Sequence, residues 1–112
     1  MRHIFFLAIA VVLAPGAALA ASAENGKAAY VKNGCWQCHG FLGQGSIMTS
    51  GGKVISRTEM SLEAFIGFVR NTSGTMPPYR AAILSDADLA DIYAYLQSVS
   101  PPPDANSIPL LK

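Results

Sequence analysis

An all-α fold is predicted for this chain on three observations. Three stretches, about 22–32, 62–70 and 86–99, carry helical signals, each opened by a serine that can cap it. No segment shows the alternation of a strand. Six glycines fall between residues 34 and 52, which makes that stretch a loop and not a core element.

The chain opens with Arg2 and His3, then a ten-residue apolar run from Ile4 to Leu13, then the helix-breaking Pro15-Gly16. Small residues follow at Ala18-Leu19-Ala20 and at Ala21-Ser22-Ala23. That order reads as an export signal, residues 1–23, cleaved after Ala20 or Ala23. The run is too short to span a bilayer, which takes roughly 20 apolar residues. No membrane span is expected after cleavage, and the mature chain is expected outside the cytoplasm, in the periplasm if bacterial.

The first helix runs from Ser22 to Lys32, with Gly26 and Tyr30 one turn apart and Asn33-Gly34 as its stop. The second follows the Ser61 cap, with Leu62, Phe65, Ile66 and Val69 at i, i+3, i+4, i+7 and Arg70 in its last turn. Ser85 caps the third, whose first turn holds Asp86 and Asp88. Its stripe is Leu89, Ile92, Tyr93 and Leu96, and Pro101-Pro102-Pro103 prevents its continuation. One domain is expected over 24–100, followed by an extended, proline-rich tail over 101–112. Ile108, Leu110 and Leu111 are expected to pack back on the body.

Composition narrows the function. Without Arg2 the chain carries seven basic and seven acidic residues, with no basic cluster, which argues against a nucleic-acid partner. Two cysteines cannot build a disulfide framework. A body this small needs something else to fill its core.

Cys35-Trp36-Gln37-Cys38-His39 supplies the candidate. C-x-x-C-H is the attachment pattern of a covalent haem. On a helical turn the two thiols share a face and reach two vinyl groups, and His39 follows as an iron ligand. A thioredoxin-like dithiol would need a preceding strand. A structural zinc would need four ligands where three are at hand. A disulfide between neighbouring turns would be strained. Trp36 and Phe41 flank the motif and are assigned to packing.

A haem electron carrier takes a second axial ligand, and after the leader the thioether candidates are Met48, Met60 and Met76. Met60, next to the Ser61 cap, reads as core filler. Met48 lies in the glycine loop. Met76 lies in Gly74-Thr75-Met76-Pro77-Pro78-Tyr79, where two prolines stiffen an extended backbone, and it ranks first. Thr75 and Tyr79 are candidates to hydrogen-bond the haem propionates.

In these residues the chain resembles a small class I c-type cytochrome. Cys35, Cys38 and His39 match the haem motif and Met76-Pro77 the axial methionine loop. Gly26 and Tyr30 match the first helix, and Tyr93, Tyr95 and Leu96 the last. The resemblance implies a cytochrome c-like fold, three main helices and loops wrapped around one covalently attached haem c. It implies Gly26 packed against the 92–96 region where first and last helices cross. The family's proline soon after the haem histidine is missing, so a backbone carbonyl in the 46–56 loop is expected to accept the imidazole N–H.

The implied function is single-electron transfer, the iron cycling between ferric and ferrous, by a carrier and not an enzyme. Partners would be redox proteins: an exported dehydrogenase, an oxidase or another cytochrome, met as a monomer or in transient complexes. A dedicated electron-accepting subunit of an exported dehydrogenase is the alternative. A peroxidase or gas-binding haem protein is a more distant one. Lys27, Lys32, Lys53 and Arg57 make the motif half basic, while Asp86, Asp88, Asp91 and Asp104 make the last-helix half acidic.

Overall fold

The computed structural model describes residues 20–46 and 52–112. Helix α1 spans Ala23–Lys32, α2 Trp36–His39, α3 Leu62–Asn71 and α4 Asp86–Ser98. Two 3₁₀ turns, Ala105–Ser107 and Pro109–Leu111, complete the elements, and the described residues contain no strand. The fold is all-α. Most of the leader and Met48 lie outside the described residues.

The serine caps account for where the long helices start. Ser22, Ser61 and Ser85 accept from the backbone N–H of Asn25, Ala64 and Asp88, satisfying donors that no helical carbonyl can reach. Asp88 returns a bond to the backbone of Ser85, closing a reciprocal box. At the far end of α1, Asn33 turns both its backbone and its side-chain N–H onto the carbonyl of Ala29. That stop releases the chain directly into the α2 turn.

Helices α1 and α4 pack most extensively, and α3 packs on α4. At the crossing, a Cβ on Gly26 would sit 1.8 Å from the carbonyl oxygen of Asp91. Only a glycine lets the two backbones come this close. The Ser22 N–H also donates to Oδ1 of Asp91, 2.7 Å away. The contact therefore falls at Asp91–Ile92, at the start of the region that the family resemblance implied. Because α1 lies across α4, the basic first helix and the acidic last one are neighbours in space.

One core joins Tyr30 of α1, Phe65 and Val69 of α3, Leu84, and Leu89, Ile92, Tyr95 and Leu96 of α4. Tyr95 takes the buried place that periodicity gave to Tyr93, which is half-buried and donates to the carbonyl of Met60. The tail departs from expectation. Ile108 is half-buried, but Leu110 is 94% exposed and Leu111 66%. Three prolines carry the chain away from α4, and the 3₁₀ turns that follow bond only to their own residues.

Candidate haem site

The site begins at the end of α1. The Cys35 N–H donates to the carbonyl of Tyr30 and the His39 N–H to that of Cys35, so the motif is wound as a helical turn. Gly40, at φ +76°, ends it. Tyr30, fully buried, donates its phenol hydroxyl to the Gly40 carbonyl at 2.7 Å and ties the turn to the core. No disulfide joins Cys35 and Cys38. Burial pushes the Cys35 thiol up to about 11.

His39 is oriented by backbone alone. Its Nδ1 lies 2.8 Å from the carbonyl oxygen of Lys53. A carbonyl can only accept, so Nδ1 carries the proton and Nε2 keeps its lone pair. Lys53 thus supplies the acceptor expected from the 46–56 loop. This loop segment is held in turn by the Gly43 carbonyl, which accepts from the N–H groups of Ile55 and Ser56.

Cys35, Cys38, His39 and Met76 line one cavity of about 400 Å³. Its remaining walls are largely apolar. Val54, Ile55 and Met60 come from the loop, Phe65, Phe68 and Val69 from α3, and Leu84, Leu89, Ile92 and Leu96 from in front of and along α4. Among the described residues that line it, Lys53 is the one with a charged side chain. An imidazole nitrogen, a thioether sulfur and two thiols around an apolar space fit a c-type haem, whose iron takes His and Met and whose ring needs a dry pocket. Among the described residues no cluster of three or more His, Cys, Asp or Glu offers a rival metal site.

Met76 sits on a strap without helix between α3 and α4. Its carbonyl accepts from the hydroxyl of Thr72 at 2.9 Å. Two sequence readings change here. Met60 is not core filler: it is 42% exposed and lines the same cavity as Met76. Its position follows from long-range contacts to α4, which local sequence does not announce. Tyr79 lines the cavity too, but its hydroxyl proton goes to the carbonyl of Asn33 at 2.9 Å and is not available to a propionate. Trp36 stacks on Phe41, ring centroids 4.6 Å apart, and packs against the core without lining the cavity.

No helix among the described residues is long and apolar enough to cross a membrane. No curated protein and no solved structure matched the chain. A family model did, over residues 21–96, roughly two thirds of the chain. That span runs from just before the Ser22 cap to Leu96 in the last turn of α4, and so takes in the motif turn, the strap and the whole helical core. The chain belongs to the family described as cytochrome c oxidase, cbb3-type, subunit III, and its chemistry is electron transfer by a c-type haem.

Proposed function

We propose that this protein is an exported monohaem cytochrome c that passes single electrons between redox proteins. Cys35 and Cys38 would hold the haem through thioether links, and His39 and Met76 would ligate its iron. What carries the reading is the meeting of these four side chains in one apolar cavity, with His39 already oriented by the Lys53 carbonyl.

The bound haem supplies one-electron exchange between ferric and ferrous iron. The rest is done by the chain. The carbonyl of Lys53 fixes the imidazole tautomer and keeps the Nε2 lone pair for the iron. Met76 would contribute a soft sulfur, which favours the ferrous state and raises the potential. Leu84, Leu89, Ile92 and Leu96, all nearly inaccessible, keep water from the inner wall of the pocket. With His39 and Met76 both given to the iron, the chain would leave no coordination site for a substrate, which supports a carrier over an enzyme. The leader, residues 1–23, supports export, to the periplasm in a bacterium.

The family description favours an oxidase as the partner over the dehydrogenases equally compatible with the sequence. It also favours a second reading, in which the chain is a standing subunit of that oxidase. One preparation tests both. The protein is expressed with a c-type maturation system, and its mass and reduced and oxidised spectra are recorded. One haem per chain retained through denaturation is expected. Haem lost from the polypeptide on acid-acetone extraction would refute the thioether links. Co-purification with a membrane oxidase at constant stoichiometry would select the subunit over the free carrier.

A further inference from the structure

The strap that presents Met76 ends in a knot of hydrogen bonds around Tyr79. The Tyr79 N–H donates to the carbonyl of Val69 at 3.0 Å, and its hydroxyl donates to the carbonyl of Asn33 at 2.9 Å. Its own carbonyl accepts from Nη1 of Arg70 at 2.8 Å. The other guanidinium nitrogen, Nη2, reaches Oδ1 of Asp86 at 2.5 Å. Arg70 is the last-turn cation of α3 and Asp86 the first residue of α4.

One side chain therefore joins the end of one helix, the start of the next and the backbone three residues past Met76. The Arg70 side chain is only 17% exposed, whereas Asp86 is 70% exposed. A surface ion pair of this kind would by itself contribute little to stability. The half-buried guanidinium differs, because its fork geometry holds two acceptors in fixed relation. The helix-end charge preferences explain a cation at 70 and an anion at 86, but not why the guanidinium that Asp86 holds also donates to the carbonyl of Tyr79.

We propose that Arg70 is a positioning residue for Met76: paired with Asp86, it clamps the Tyr79 carbonyl and so keeps the methionine strap closed over the cavity. The inference rests on Met76 being the second axial ligand, as proposed above. Any outside ligand must displace Met76, and displacement requires the strap to lift. Loosening its far end lowers that cost without touching either ligand.

The test uses the ferric holoprotein and imidazole as the competing ligand. Arg70→Met keeps the aliphatic bulk and removes both bonds. Imidazole is expected to bind it about tenfold more tightly than the parent, the size of effect that losing one charged hydrogen bond gives. Arg70→Lys, which can satisfy one acceptor, restores part of the difference. Asp86→Ala leaves Arg70 with a single anchor and is expected to tighten binding roughly threefold. A purely structural role would lower the melting temperature and leave imidazole affinity unchanged while the protein is folded. Affinity within about twofold of the parent in Arg70→Met, or in Asp86→Ala where only that variant yields holoprotein, overturns the proposal. Met76→Ala in the parent separates the two readings: persistence of the near-infrared thioether–iron band there would sink the Met76 assignment itself.

Discussion

Nδ1 of His39 and the backbone oxygen of Lys53 meet at 2.8 Å across a separation of 14 residues. No side chain but the imidazole takes part. The acceptor is placed by backbone bonds, with the Gly43 carbonyl holding Ile55 and Ser56 and the Gly45 N–H donating back to the carbonyl of His39. The orientation of the proposed haem ligand is thus set by backbone bonds that Gly43 and Gly45 make.

Gly43→Ala is the substitution that reads this out. Gly43 has φ +65°, and an added Cβ would lie 2.8 Å from Cδ2 of Leu96 and 3.0 Å from the Ser56 nitrogen. The leucine tip can yield, but the backbone nitrogen cannot without moving the segment that carries Lys53. Left-handed strain and overpacking together are expected to lower holoprotein stability by about 1–3 kcal/mol. Denaturant titration of the holoprotein measures this. A loss below about 0.5 kcal/mol would show that the loop adapts freely.

Much of this site was legible in the sequence because it is local. Five consecutive residues hold two thiols and an imidazole, and Ser22, Ser61 and Ser85 each cap the helix they precede. The Met76 strap was marked by its prolines. What could not be read depends on tertiary path. The Lys53 carbonyl carries no residue signature, since any amino acid offers one. Leu84 is 1% exposed yet lies in a bend ahead of α4, where no periodicity includes it. Met60 reaches the cavity because Tyr93 and Gln97 of α4 bond the backbone of Met60 and Thr58. Leu110 and Leu111 are as apolar as core residues, but three prolines fix the direction in which they leave.

Gly26→Ala is expected to damage the α1–α4 crossing. Helix propensity alone would reward the change by about 1 kcal/mol. The added methyl, however, would sit 1.8 Å from the Asp91 oxygen, and only a shift of one whole helix relieves that. A net loss of roughly 1–3 kcal/mol is expected, with a lower melting temperature for the holoprotein. A gain in stability would mean that the helices cross elsewhere.

Alkaline pH should unfold the protein through Tyr30. Its phenol is fully buried and bonded to the Gly40 carbonyl, and burial pushes its pKa above the ordinary value. Burial raises Tyr79 and Tyr95 as well. Above about pH 10 the unfolded chain releases these protons and the folded chain keeps them. The folded state then binds more protons, so stability is complete below that pH and falls as pH rises through it. Tyrosinate absorbance from these residues is expected to appear together with unfolding. Tyr30→Phe should cost about 1 kcal/mol at neutral pH and make the alkaline decline shallower. Ionisation of Tyr30 near pH 10 in the folded protein would contradict this.

Among the described residues the assignment of the second ligand turns on two sulfurs, because Met60 and Met76 line the same cavity. Their settings differ. Met76 is half-buried on a strap pinned by Thr72 at its own carbonyl and by Arg70 at Tyr79. Met60 is 42% exposed, beside the Ser61 cap, its carbonyl taken by the Tyr93 hydroxyl at 2.7 Å. Met76→Ala should leave the haem attached through Cys35 and Cys38 while removing one soft donor. The potential should drop, the near-infrared band of thioether-bound ferric iron should vanish, and carbon monoxide should bind the reduced protein readily. Met60→Ala should keep the band and the resistance to carbon monoxide. Its partial exposure leaves less packing to lose than the roughly 2–5 kcal/mol of a fully buried methionine. Should Met60→Ala abolish the band while Met76→Ala preserves it, the sulfur on the iron comes from the turn before α3, and the proline strap only covers the pocket.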